Sequence, residues 1–281
     1  MPTLTQNRYG KSRVRFLKNI RHSATHHDVC ELEADVLLSG DLDGSYLSDN
    51  NSSIVPTDTC KNTLLLLAHD HLGTCRNSFA LVIGRHFLEK HPHISLVETE
   101  LRERAWARIH IDGQAHPHAF SHAANGTPFS TLRHSRESGE TLSSGIRDQL
   151  VLKTTRSSFT GYKTCDLTTL PPAAERFLST RISAEWTFSD LSADFQKADQ
   201  AIHAAIIRVF AENHSPSVQR TLYEMGEAAL AASDAISEIQ LTLPNVHFLP
   251  LDLTKLGRPD QTILSLPTDE PHGQIQATIR R

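Results

Sequence analysis

From Asp28 onward apolar residues occupy every second position: Cys30, Leu32, Ala34, Val36 and Leu38, with Glu31, Glu33 and Asp35 between them. A period of two sends alternate side chains to opposite faces, so the pattern predicts a half-buried strand. A strand is also expected earlier, over Ser12–Ile20. Gly40–Ser53, rich in Gly, Ser, Asp and Asn, reads as a polar loop. Helices are expected over Thr59–Leu72 and Asn77–Lys90, and then strands over Ser95–Ile111 and His118–Leu132, the second broken at Asn125-Gly126.

The second half repeats this order. Strands are expected near Gln149–Thr155 and over Arg181–Phe188, where Ile182, Ala184, Trp186 and Phe188 share a face. The stripe Ala198, Ile202, Ala205, Ile206, Val209 and Phe210 follows the helical repeat and predicts a helix over Ala193–Asn213. Ser215-Pro216 reads as an N-cap followed by a proline at the first helical position, starting a helix with Val218, Leu222, Met225 and Ala229 on one side. Strands over Ile236–Leu243 and Gln274–Arg280 close the chain. Each half is thus strand, strand, helix, helix, strand, strand, an internal duplication at the level of elements. The expected fold is α+β, with two ββααββ units at residues 1–140 and 141–281. Each unit would be an antiparallel sheet with two helices on one face. Such a unit leaves open sheet edges and a bare sheet face, so association between copies is expected.

Composition narrows the function. The net charge of −4, with acids and bases interspersed, argues against a nucleic-acid or anionic-membrane partner. The apolar run Leu64–Ala68 is far short of the ~20 residues that a membrane helix needs. The first residues contain no apolar stretch of the secretory kind. Cys30, Cys60, Cys75 and Cys165 form no CxxC pair, which argues against structural zinc and suits reduced thiols. The pairs His69/His71, His91/His93 and His116/His118 lack the spacing of a metal motif and read as solvated surface. Gly10-Lys11-Ser12 lacks the upstream glycine of a phosphate loop, and Ser144-Gly145 lacks the elbow of a serine hydrolase.

Other segments carry more information. Thr57-Asp58 follows a strand and precedes a helix, where free N–H groups favour an anion, although taken alone simple N-capping by Thr57 or Asp58 is the better account of those residue types. Val218-Gln219 occupies the matching place in the second half. Taken singly, Arg176 reads as a surface arginine, Phe159 as core, and Asn245 and His247 as strand-end residues.

In order, however, these segments resemble the urate oxidase (uricase) family along the whole chain. The resemblance is carried by Tyr9-Gly10-Lys11, Val55-Pro56-Thr57-Asp58-Thr59-Cys60-Lys61-Asn62-Thr63, Leu152-Lys153-Thr154-Thr155, Ser158-Phe159-Thr160-Gly161, Thr168-Thr169-Leu170, Arg176, Phe210 to Gln219, and Leu243-Pro244-Asn245-Val246-His247. It implies a tandem tunnelling fold whose units assemble into a barrel by oligomerisation. It also implies oxidation of urate by O2 to 5-hydroxyisourate and hydrogen peroxide, with no metal and no organic cofactor.

The resemblance further implies a division of labour. Arg176 and Gln219, with the Val218 N–H, would hold one edge of the purine, and Phe159 would stack on it. Thr57 and Asp58 would hold the other edge from a neighbouring subunit, placing the active sites at the interfaces of a homotetramer. Lys11, Thr57 and His247 would relay protons, and Asn245 would sit over the ring near O2 or water. The chain ends in Thr278-Ile279-Arg280-Arg281, not in the peroxisomal address of some relatives, so a cytoplasmic, bacterial setting is expected. Two other readings compete. A zinc-dependent tunnelling-fold hydrolase would need a Cys/His metal set. A non-catalytic purine-binding protein would not need Lys11, Thr57 and His247.

Overall fold

A computed structural model describes residues 2–260, 263–268 and 270–281. The chain divides into two compact units. One comprises the residues up to Gly145 with Asp190–Gln196, and the other Ile146–Ser189 with Lys197–Arg281.

In the first unit β1 (Tyr9–Arg21), β2 (His27–Gly40), β3 (Ile94–Arg104) and β6 (Thr127–Ser135) form an antiparallel sheet in that order, with the start of β7 (Gly139–Lys153) beyond β6. The alternation read in β2 is present in space. Cys30, Leu32, Ala34, Val36 and Leu38 are all buried. On the other face Glu33 and Asp35 pair with Arg102, which also reaches Glu100. Helices α2 (Thr57–His71) and α3 (Arg76–Lys90) cover the apolar face, α3 burying Phe79, Ile83 and Phe87. Phe16 of β1 meets Phe79 edge to face. Lys18 Nζ donates to the carbonyls of Ala68 and His69, closing the C-terminal turn of α2 with a cation.

The second unit repeats the plan. The end of β7 lies beside β8 (Leu178–Phe188), followed by β9 (Ile236–Thr242) and β12 (Gln276–Arg280). Helices α4 (Phe195–Glu212) and α5 (Val218–Ala232) bury the stripes expected of them, including Ile202, Ile206, Phe210, Leu222 and Met225. Trp186 of β8 is buried, and its indole N–H donates to Asp199 of α4 at 2.9 Å.

Both units carry a hairpin between the third and fourth strands of the ββααββ plan, and the sequence reading missed both. Ser95–Ile111 is two strands, β3 and β4 (Trp106–Ile111), because the chain leaves the sheet at Ala105. It turns at Asp112-Gly113 and returns as β5 (Gln114–His122). Both turn residues have positive φ, 51° and 80°, the geometry that favours Asp-Gly in a two-residue hairpin. In the second unit β10 (Asn245–Pro250) and β11 (Ser265–Thr268) form the corresponding pair, and β10 adds to the first residues of β8. The polar loop after β2 holds a short helix, α1 (Asp43–Leu47). Strand β7 begins well before Gln149, since its first half buries Ser143 and Ser144 and shows no apolar alternation. Among the described residues no helix is long and apolar enough to cross a membrane.

Candidate active site

The first unit holds Lys11, Thr57 and Asp58. Lys11 lies on β1 in register with Val36. The residue before it must be glycine, because a Cβ on Gly10 would fall 1.9 Å from the Val36 carbonyl oxygen. Beyond Lys11 the register shifts through a bulge. There Arg13 has φ 59° and gives its N–H to Asp35 at 2.5 Å. Bulges of this kind re-aim neighbouring side chains. We expect Gly10→Ala to break the β1–β2 ladder beside Lys11 and to cost at least ~2 kcal/mol, read as a lower thermal midpoint.

Helix α2 starts at Thr57. Its N-cap is Pro56, which offers no side-chain cap, and the residues before it belong to no strand, contrary to the sequence reading. The expected capping by Thr57 or Asp58 is also not found. The Asp58 carboxylate instead accepts from Lys61 at 2.5 Å and Asn62 at 3.0 Å. The N–H groups of Thr57 and Asp58, at the first two helical positions, therefore have no intrahelical acceptor, and both residues are exposed. The bond to Lys61 holds the Asp58 carboxyl below its usual range, with the Lys11 charge a smaller contribution. Burial pushes the Cys60 thiol up to about 11, opposed in part by Lys11. The Lys11 ammonium is thus within electrostatic reach of the start of α2.

The second unit holds Phe159, Arg176, Val218, Gln219, Asn245 and His247. Phe159 pairs with Ala173 through two backbone hydrogen bonds of 2.7 and 3.0 Å, and the Arg176 N–H donates to the Ser157 carbonyl at 2.8 Å. These bonds bring Arg176 Cζ to 5.1 Å from the Phe159 ring centre. Tyr162 stacks on Phe159 at 4.8 Å, and its hydroxyl donates to the Leu170 carbonyl. Among the described residues no carboxylate pairs with Arg176, and its buried Nε has no partner. Burial alone pushes its guanidinium below the ordinary value. The neighbouring Glu175 is engaged elsewhere, accepting the Arg156 N–H at 2.7 Å.

The bond from Ser158 N–H to the Ser215 carbonyl, 2.8 Å, ties this segment to the start of α5. The helix begins two residues later than the sequence predicts. Its N-cap is Ser217, whose hydroxyl accepts the Arg220 N–H at 3.1 Å, while Ser215 is buried and its Oγ accepts the Thr221 hydroxyl at 2.6 Å. Pro216 therefore precedes the cap, and Val218 and Gln219 hold the first two helical positions. Their N–H groups lack an intrahelical acceptor. Ser217→Ala should cost ~1 kcal/mol of stability, measured by denaturant melting.

Asn245 opens β10. It pairs with Thr180 of β8, and its N–H donates to the Gly273 carbonyl at 2.9 Å. It lines a depression of about 200 Å³ with Arg181, Glu270 and His272. His247 lies two residues on, on the same side of the strand, in register with Thr268. Phe248 meets Phe177 at 6.1 Å, so β10 is packed against the residue following Arg176. Tyr9, Cys60 and Tyr162 shape these clusters, yet sequence reasoning gave them no role. The first two stand inside motifs that carry the resemblance, which was the available signal.

A family model described as uricase matches residues 7–133 and 142–276. The chain belongs to the uricase family. It is 35% identical over 294 residues to a uricase of Cyberlindnera jadinii, covering 99% of this chain and 97% of that protein. It is 36% identical over 278 residues to a uricase of Danio rerio, covering 97% of this chain and 93% of that protein. The crystal structure of uricase from Arthrobacter globiformis superposes with a TM-score of 0.93 at 33% identity, covering 100% of this chain and 96% of that one. The two segments matched by the uricase model contain every site residue named above.

Proposed function

We infer that this chain is a urate oxidase, converting urate, O2 and water to 5-hydroxyisourate and hydrogen peroxide without a metal or organic cofactor. Two electrons pass from the purine to dioxygen, and water supplies the new hydroxyl. Arg176 supports this reading most directly. A half-buried guanidinium with no acid partner among the described residues, lying against an aromatic ring in a segment tied to the start of α5, suits a flat organic anion. Arg176 and Gln219 grip one edge of urate, with the Val218 N–H a further donor, and Phe159 stacks on the ring. The Thr57 and Asp58 N–H groups take the opposite edge. In this reading they come from a neighbouring subunit of a cytoplasmic homotetramer, closed by pairing of sheet edges into a barrel. Lys11, Thr57 and His247 move the proton, and Asn245 holds O2 and then water over the ring.

The test is to incubate the chelator-treated full chain with urate in air, following urate absorbance, O2 uptake and peroxide. We expect matched loss of urate and O2, with peroxide formed in step and no effect of the chelator. Folded protein that leaves urate intact overturns the reading. Sizing of the active species against inactive monomer tests the shared site.

A further inference from the structure

Val55 is held through both of its backbone polar groups by side chains from two different elements. Its N–H donates to the Tyr9 hydroxyl at 2.7 Å, and its carbonyl accepts from the Cys60 thiol at 3.9 Å. Val55 and Cys60 are buried, so neither backbone group has ready access to water as a substitute. Tyr9 stands two residues before Lys11 in an unbroken stretch of β1–β2 pairing, which puts both side chains on the same face. Cys60 lies three residues after Thr57, in the first turn of α2. Between Val55 and Thr57 stands only Pro56, whose ring fixes φ, observed at −52°. An orientation set at Val55 is therefore passed to Thr57 with little slack.

We propose that Tyr9 is a positioning residue for proton transfer. By holding the Val55 N–H, its hydroxyl sets the Thr57 hydroxyl against the Lys11 amine. The proposal rests on the Lys11–Thr57 relay of the preceding subsection and adds the group that aligns it. Elsewhere the strand carrying the lysine is hydrogen-bonded to α2 at the helix's far end, where Lys18 meets the Ala68 and His69 carbonyls. Beside the relay, one phenolic oxygen ties that strand to the segment leading into α2, two residues from Lys11 and two from Thr57. Small misplacements at a proton-transfer site cost rate far more than binding. Tyr9 touches neither proton donor nor acceptor in this scheme and acts only through Val55.

The test compares wild type, Tyr9→Phe, Lys11→Met and the double variant as full chains, with O2 uptake on urate measured from neutral to alkaline pH. Binding of xanthine, a planar purine, is measured alongside. Tyr9→Phe should lower kcat by ~10-fold or more while KM and xanthine affinity stay within ~3-fold. Its pH profile should move toward that of Lys11→Met. In the Lys11→Met background it should cost less than ~2-fold further, because the group it aligns is already gone. A purely structural tyrosine would instead give losses that multiply, with the wild-type pH profile kept, and that result overturns the proposal. So does Tyr9→Phe with wild-type kcat. If Lys11→Met itself keeps wild-type turnover, the relay reading has failed, an outcome distinct from failure of Tyr9 alone. Should Tyr9→Phe not fold, hydrogen exchange of the wild-type Val55 amide decides: slow exchange supports the tie, and exchange at the rate of an open loop removes it.

Discussion

Replacing Arg176 by alanine should lower kcat/KM for urate by at least ~10²-fold while leaving the ligand-free chain nearly as stable as before. The loss follows from charge and geometry. Hydrogen bonds to a charged group contribute about 1.5–3 kcal/mol each, and ~10²-fold corresponds to roughly 2.7 kcal/mol, so the forked contact to an anionic purine edge is sufficient. The small effect on stability follows from what Arg176 lacks. Arg102 bridges Glu33, Asp35 and Glu100, and its removal would break three ion pairs at once. Arg176 has no carboxylate to strand among the described residues and is half-buried at a cost in hydration. Its contact with the Phe159 ring is worth about 0.5–1 kcal/mol, which relief of that desolvation offsets. The thermal midpoint of the free protein should therefore move by less than about 3 °C. Arg176→Lys should recover under ~10-fold of the lost kcat/KM, since an ammonium keeps the charge and loses the fork. A kcat/KM within ~10-fold of wild type in Arg176→Ala, or a midpoint lower by more than about 6 °C, would make this arginine structural.

The parts of the fold legible in the sequence are those where burial is one-sided. The strand β2 and the helices α4 and α5 show the period of their geometry because one face meets the core and the other meets water. Strand β7 hides its first half behind buried serines. The Ser144 hydroxyl receives Arg76 at 2.9 Å and donates to the Phe129 carbonyl at 3.3 Å, so a polar residue serves where an apolar one would have marked the strand. Strands β10 and β11 are brief, contain Pro250 and Pro267, and are half-exposed, which erases their alternation. The start of α5 was misplaced because Ser215 and Ser217 are equally plausible caps by composition, and only the Arg220 N–H chooses between them.

The candidate site was legible for a different reason. Residue types such as a lone arginine or a Thr-Asp pair have ordinary explanations one at a time, and an ordered set along the whole chain does not. The alignment of those groups stayed hidden. Nothing in the spacing of Tyr9 and Val55 announces a hydrogen bond between them, because it depends on how β1 lies beside the segment leading into α2.

Lys11→Met should lower kcat by roughly 10²–10⁴-fold, the range general acid–base groups supply, with KM changed by only a few-fold. Methionine keeps the unbranched shape of the side chain while removing the amine, so the β1–β2 register and the bulge after Lys11 should persist. Arg176, Phe159, Val218 and Gln219, assigned to one edge and the ring face of urate, belong to the second unit, and the Thr57 and Asp58 groups assigned to the other edge are backbone N–H groups that a change at Lys11 leaves in place, so binding and proton transfer should separate in the kinetics. The pH dependence reports the role. Removing the amine of an acting base takes that group out of the rate law, so the pH profile of kcat should change in Lys11→Met. Thr57→Val removes only the hydroxyl, and in the Lys11→Met background it should add little, since a relay broken at one member gains nothing from the other. Equal losses in kcat and in affinity for xanthine would instead place Lys11 among the binding groups. An unaltered pH profile would leave proton removal to His247, the relay member that faces the same side of β10 as Asn245.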